Sequence, residues 1–226
     1  MDRAILQDKL SYPEGSLESW GHINYRVLRL VRPYIQGRVL DVGCARGGYV
    51  TALSVHHNQV YGCDLFRWSE WKVICSTRFC QADVIHLPFV DGSFDTVLSL
   101  NVLEHIQSVE VALRELRRVC QGRLVLSVPN CQRFPEMEWA GLSFHHWVDR
   151  SHVHFFQAQD LEKILVESAF AVELLEPFGT VRPEILLLRS LGVPMIVARG
   201  MAWVLQKVPW RTHYAPLLLA VARVVS

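Results

Sequence analysis

The stretch "VLDVGCARGGYV", residues 39–50, decides how this chain is read. Val39, Leu40 and Val42 give an apolar run of strand character. Gly43, Gly47 and Gly48 then mark a turn, and the following residues suit a helix. Glycines so placed bring backbone close to whatever the turn holds. Asp41 puts a carboxylate just before it.

Three ligand classes use a strand, a glycine turn and a helix in this order. A Walker A loop needs G-x-x-x-x-G-K-[ST], and no such string occurs. A dinucleotide fingerprint, G-x-G-x-x-G, is met at Gly43 and Gly48, with Ala45 at the middle position. A third pattern, D-x-G-x-[GA]-x-G, binds S-adenosylmethionine (SAM), and Asp41, Gly43, Ala45 and Gly47 fit it. Asp41 helps to choose. It opposes an anionic pyrophosphate, whereas SAM carries a sulfonium and an α-ammonium that a carboxylate favours. A plain tight turn is the bland alternative.

Asp64 ends the next strand-like run, 17 residues past Gly47. A carboxylate there can accept from both ribose hydroxyls, as it does for NAD and SAM alike. The segment "QADVIHLPFVDGSFDTVLSLNVLEHI", residues 81–106, holds Asp83 in a loop, where it can accept from an adenine amino group. Asp91-Gly92 is a turn signal, "SFDTVLSL" reads as the next strand, and Asp95 near its start reads as structural.

Outward from this core, strands and helices alternate. Strand-like runs span 37–43, 59–64, 94–100 and 122–128, with helical stretches near 48–56, 67–76 and 108–120. Residues 16–35 read as a preceding helix with Val27, Leu28, Val31 and Ile35 on one face. A helix at 158–170 leads into a further strand at 171–179. Near-continuous apolar strands separated by helices predict an α/β fold with a doubly wound, mostly parallel sheet. The expected organisation is an N-terminal helical segment (1–36), a ligand-binding domain (37–180) and an apolar, basic C-terminal extension of short helices (181–226), broken by prolines.

The pieces "VLDVGCARGGYV", "GCD" (62–64), "AD" (82–83), "LPFVDGSFDTVLSLNVLEHI" and "LVLSVPN" (124–130) resemble the class I SAM-dependent methyltransferases, in particular the ubiquinone- and menaquinone-biosynthesis type. "HVHFFQAQDLEKILVESAF" is similar to that group's late segment. The resemblance covers residues 38 to about 178 and implies a Rossmann-like methyltransferase fold with SAM as cofactor. It implies that Gly43, Ala45 and Gly47 lie under SAM. Asp64 would hold the ribose, Asp83 with Val84 the adenine, and Asn101 the methionyl part, with Leu65 a further cofactor-binding position. It says little about the acceptor, because one fold hosts many.

Orientation alone can supply much of a methyl transfer, and a general base adds roughly 10²–10⁴-fold for an un-ionised hydroxyl. His105, after the fourth strand, is the first candidate, with helix capping by Glu104 and His105 as the bland alternative. "FHHWVDRSHVHFF" (144–156) supplies His145, His146, Asp149, His152 and His154 after the fifth strand, where an acceptor pocket belongs. Of these, His145 and His152 join His105 as catalytic candidates; His154 equally suits a hydrogen-bonded core position. Some relatives of this fold, including small-RNA 2′-O-methyltransferases, bind Mg²⁺ through E-x-x-E-H and a later histidine. Here Asn101 stands in the first position, leaving Glu104 and His105. Mg²⁺ favours carboxylates, and no metal is assigned.

The chain has 226 residues, half of them apolar, enough for a substantial core. Its net charge is only +1, but residues from Pro177 onward carry net +5 and the rest net −4. A net-acidic catalytic region without basic runs speaks against DNA and RNA as partners. The six cysteines form no C-x-x-C pair and read as reduced thiols. "MDRAILQDKLSYPEG" lacks the apolar core of a signal peptide, and no charge-free apolar run approaches the roughly 18 residues of a membrane span. The expectation is therefore a cytoplasmic enzyme. The tail reads either as packing with snorkelling cations or as a membrane-resting cap with Trp203 and Trp210 at the interface; in the second reading its removal abolishes vesicle binding and spares SAM binding, provided the core still folds. The leading function is SAM-dependent methylation, O-directed, of a small or lipid-linked hydroxyl compound. An RNA methyltransferase and a catalytically inactive SAM-binding scaffold are the alternatives, with a nicotinamide dehydrogenase behind them.

Overall fold

All four residues of strand β1 (Val39–Val42) are buried, as a central strand covered on both faces requires. The computed structural model describes residues 23–131, 149–179, 192–197, 200–201 and 215–225. The other strands are β2 (Val60–Asp64), β3 (Phe79–Gln81), β4 (Phe94–Leu100), β5 (Cys120–Pro129), β6 (Phe170–Phe178) and β7 (Leu217–Val224). They form one seven-stranded sheet in the order β3-β2-β1-β4-β5-β7-β6. β1 to β5 run parallel, and β7 is antiparallel to both of its neighbours. The chain steps outward from β1 to β2 and β3, then returns to place β4 on the other side of β1. That reversal opens a crevice at the carboxyl ends of β1 and β4.

Helices α1 (Tyr25–Val31), α2 (Gly48–Ser54), α3 (Trp71–Ile74), α4 (Val109–Val119) and α5 (Ala158–Glu167) accompany the sheet. α1 begins where the Asn24 side chain accepts from the amides of Arg26 and Val27. α4 buries Val109, Ala112, Leu113, Leu116 and Val119, a stripe at helical spacing. α5 opens with a reciprocal capping box between Gln157 and Asp160. The core lies in two clusters. Leu40 and Val42 of β1 pack with residues of α4 and α5, and Val39 packs with α1, α2 and Trp71. Alternate residues of one strand thus serve opposite faces.

The parallel sheet and its alternating helices match the sequence-based expectation, and β4 has the expected bounds. The first helix is seen only from Tyr25, with a 3-10 turn at Arg32–Tyr34. The stretch expected as a helix over 67–76 is one turn, Trp71–Ile74, followed by a 3-10 turn and the unanticipated edge strand β3. All six cysteines are free thiols.

The C-terminal extension differs from expectation. Residues 217–224 are not helical; they form β7, inserted between β5 and β6. Leu218, Leu219, Ala220, Val221 and Ala222 are fully buried there. The end of the chain is part of the sheet that carries the site, so the expected extension of short helices is corrected here, and removing residues 181–226 would take a buried strand out of the core. Residues 195–197 and 200–201 are helical. Trp203, Trp210 and most of 181–214 lie outside the described residues, as do His145, His146 and residues 1–22. Among the described residues, no helix is long and apolar enough to cross a membrane.

Candidate functional site

The glycine turn sits where β1 enters the crevice. Gly43 has φ +76°, and a Cβ there would strike the Val102 side chain, which follows β4. Gly47 has φ +83° and opens α2; a Cβ on it would come within 2.7 Å of the Phe79 ring. Both positions need glycine for conformation and for space. Ala45 also takes a left-handed conformation, φ +44°. Its cost is offset by two bonds. Its N–H donates to Asp64 Oδ2 at 2.8 Å, and its carbonyl accepts from the Trp71 ring N–H at 2.8 Å. The Gly43 and Cys44 amides both donate to the Cys63 carbonyl, tying the turn to the end of β2.

Asp41 is fully buried, and its Oδ2 has no hydrogen-bond partner. Burial, and then the nearby Asp64 carboxylate, raise its pKa to about 7. Asp64 is also raised, by burial first, against the lowering effect of the Phe66 and Ala45 amides that it accepts. Two carboxylates that disfavour their own charge, one with an unsatisfied oxygen, suit a ligand that brings positive charge and hydroxyl donors. The glycine cradle leaves room beside them. These features fit SAM.

The remaining positions expected to hold the cofactor follow the carboxyl ends of β2, β3 and β4. Leu65 is exposed just beyond β2. Asp83 Oδ1 accepts from the Ile85 amide at 3.2 Å, which holds the loop after β3 in an Asx turn. The Val84 side chain is buried in the core, so it is the Val84 backbone that can face a ligand. Asn101 directly follows β4 with φ +56°. Its amide donates to the Ser127 carbonyl at 2.9 Å, and the Ser127 hydroxyl donates to its Oδ1 at 3.1 Å. Asp95 lies at the opposite end of β4, where it accepts from the Arg38 amide and from Gln121. Its role is structural, as expected.

His105 stands on a 3-10 turn, Leu103–His105, just after β4. Its Nδ1 lies 3.1 Å from the Ser151 carbonyl and 3.0 Å from Ser151 Oγ. The Ser151 hydroxyl gives its one proton to Asp149 Oδ1 at 2.8 Å. Both Ser151 oxygens therefore face His105 as acceptors, so Nδ1 carries a proton. Its Nε2 lies 4.0 Å from Glu104 Oε1. His152 packs against His105 with ring centroids 4.8 Å apart, and its Nε2 lies 3.6 Å from Asp149 Oδ2. His105 and His152 are thus brought together. His154 is not in the core; it is half-buried and bonds the Gln107 carbonyl at 3.1 Å. Ser151 was not foreseen, although D-x-S is a turn signature in which the aspartate accepts the amide two residues on. The structure has that bond, Ser151 N to Asp149 Oδ1, at 3.0 Å.

A methyltransferase-domain family model matches residues 19–175. The chain is 30% identical over 145 residues to the demethylmenaquinone methyltransferase of Porphyromonas gingivalis, covering 57% of this chain and 59% of that one. The chain spans less than two thirds of the length of the curated relatives it matches. In fold it is similar to a SAM-dependent methyltransferase from Archaeoglobus fulgidus, with a TM-score of 0.61 at 20% identity, over 98% of this chain and 100% of that one. It is also similar to the 1,6-didemethyltoxoflavin-N1-methyltransferase of Burkholderia thailandensis, whose structure holds S-adenosylhomocysteine. There the TM-score is 0.62 at 18% identity, over 99% of this chain and 88% of the other. The chain belongs to the methyltransferase-domain family of class I, SAM-dependent enzymes.

Proposed function

We propose that the protein methylates a hydroxyl oxygen of a small or lipid-linked acceptor, using SAM. When bound, SAM supplies an electrophilic methyl group on a positively charged sulfur. Asp64 with Leu65 would hold the ribose, Asp83 with the Val84 backbone the adenine, and Asn101 the methionyl part. Asp41 would meet the positive charge, with Gly43, Ala45 and Gly47 beneath.

The observation that carries the O-directed reading is the place of His105, just after β4 on the ligand side of the sheet, with its Nδ1 held against Ser151. A hydroxyl is a poor nucleophile until it loses its proton, and an oriented imidazole beside the crevice is the group through which that proton leaves. Ser151 and Asp149 hold the ring in the needed tautomer. His152 flanks it, and His145 belongs to the same segment. The lipid-linked part draws support from the exposed apolar side chains Met195, Ile196, Val197 and Met201, which suit peripheral contact with a membrane surface. It also draws support from the likeness to a demethylmenaquinone methyltransferase.

The test is a screen of phenolic and lipid-linked hydroxyl acceptors by mass spectrometry, followed by His105→Ala. The variant should lose roughly 10²–10⁴-fold in kcat while SAM affinity stays within twofold. A kcat within twofold of the parent takes the role away from His105.

A further inference from the structure

We propose that Cys63 and Cys80 form an oxidisable dithiol beside the cofactor cradle: a peroxide converts Cys80 to its sulfenic acid, and Cys63 then closes a disulfide. The two cysteines face each other in register across the parallel strands β2 and β3. Their side chains lie on the same face of the sheet, since Cys63 belongs to the core cluster built with α4 and Cys80 packs against that cluster. Neighbouring strands run about 4.7–4.9 Å apart, within the Cα separation of about 4.4–6.8 Å that a disulfide spans. Both thiols are free, so the structure shows the reduced form.

The two thiols are not equivalent. Cys63 is fully buried. Cys80 is partly exposed on the edge strand, beside a cavity of about 230 Å³ that Arg67 and Lys72 also line. A molecule as small as a peroxide can reach Cys80 and not Cys63. The Cys63 thiol donates a hydrogen bond to Cys80, which favours the Cys80 thiolate and holds its pKa below the ordinary thiol value. The same bond, and then burial, push the Cys63 thiol up. The thiolate is the nucleophile, so Cys80 reacts first. Its sulfur attacks one peroxide oxygen, the O–O bond breaks, and hydroxide leaves. The Cys63 sulfur then attacks the sulfenic sulfur, and its proton goes with the departing oxygen as water. The peroxide is reduced to two waters, and the two thiols are oxidised to the disulfide.

Main-chain and side-chain bonds join this pair to the residues expected to hold SAM. The Cys63 carbonyl accepts from the Gly43 and Cys44 amides of the glycine turn, and Asp64 follows directly. From the β3 side, the Ala82 amide donates to the Asp64 carbonyl at 2.9 Å, and the Gln81 side chain donates to the Leu65 carbonyl at 2.9 Å. A disulfide draws its two sulfurs to about 2.05 Å. β2 and β3 then shift against each other, and Asp64 moves relative to the turn on one side or to the Asp83 loop on the other. The disulfide form should bind SAM more weakly, and by linkage a bound cofactor favours the dithiol. The pair acts on the cofactor side of the crevice, whatever acceptor is methylated.

The test uses the full chain, reduced, desalted, treated with hydrogen peroxide and digested without reductant for mass spectrometry. A linked Cys63–Cys80 peptide is expected, and dithiothreitol should remove it. Affinity for S-adenosylhomocysteine, read by calorimetry, should fall about 3- to 10-fold on oxidation, the effect of loosening one hydrogen bond, and return on reduction. Cys80→Ser should abolish both the link and the change in affinity. Cys63→Ser should leave a sulfenic acid at Cys80 that dimedone traps. Cys75→Ser, outside the pair, should alter neither result. Binding of S-adenosylhomocysteine by each reduced variant reports that it is folded; if Cys63→Ser fails that check, Cys80→Ser decides. No linked peptide in the treated parent chain, or a link from Cys80 to Cys44 in its place, overturns the pairing. A Cys63–Cys80 disulfide with unchanged affinity overturns its coupling to the cofactor.

Discussion

Asp41→Asn tests the electrostatics of the cofactor cradle. The Asp41 carboxyl has its pKa raised from 3.8 to about 7, chiefly by burial and then by Asp64. A carboxyl that holds its proton more tightly when folded stabilises the fold at low pH. That stability is complete below about pH 4, is lost as pH rises toward 7, and changes little beyond. Between pH 5 and pH 8 the loss from this one group comes to about 2–3 kcal/mol. For a chain of this size that is about 5–10 °C in Tm. Asparagine has no such titration, so the Tm difference between variant and parent should move in the variant's favour by this amount from pH 5 to pH 8. Differential scanning fluorimetry across that range, without ligand, reads it. A cation beside Asp41 reverses the preference. SAM should therefore bind the parent more tightly as pH rises, by up to about tenfold per unit below pH 7, with proton release. Asp41→Asn should flatten that slope in calorimetry. Parallel Tm curves for the two proteins would falsify the reasoning, because they mean that Asp41 does not titrate in this range.

Asp64→Ala should weaken SAM binding about 10- to 150-fold, the effect of losing a charged hydrogen bond worth about 1.5–3 kcal/mol, as read by calorimetry; unchanged affinity in a folded variant removes Asp64 from the site. Gly43→Ala places a methyl group against Val102 at a left-handed φ and should cost at least about 1–2 kcal/mol of stability, seen as a lower Tm, together with SAM binding. Deleting residues 217–226 removes β7. Leu218, Leu219 and Val221 alone bury about 5–9 kcal/mol, comparable to the whole stability of a domain. The truncated chain should therefore show no cooperative unfolding and no SAM binding, and a folded, SAM-binding truncation would refute the placement of β7.

The half of the crevice proposed for the cofactor was legible because it is local. Asp41, Gly43, Ala45, Gly47 and Asp64 lie within 24 residues, and a strand, a turn and a helix suffice to place them. The turn had to be glycine-rich for steric reasons that leave a visible mark. β7 left no such mark. "LLLAVARV" is rich in Leu and Ala, which favour helices, and it lacks alternation because both of its faces are buried. Only its partners make it a strand, and β5 lies nearly ninety residues earlier, with Pro129 paired to Leu217. β3 escaped notice for a related reason: three residues at a sheet edge are too few to show a period.

The acceptor half is long-range throughout. His105 and His152 could each be singled out from the sequence, but their meeting depends on the amides of Val153 and His154 reaching the Glu104 carbonyl. The floor beside them is joined in the same way. The Asn130 amide and side chain bond the carbonyls of Pro216 and Ala215, and the Cys131 amide bonds the Phe156 carbonyl. These contacts tie the end of β5 to the entry of β7 and to the segment that carries Ser151 and His152. The residues proposed to hold SAM lie in a contiguous piece of chain, whereas those proposed to act on the acceptor depend on contacts among three separated pieces. Changes in 149–156 or 215–217 can therefore reshape the acceptor side while the strand and turn that hold the cofactor remain intact. A division of this kind lets one cofactor cradle serve different acceptors.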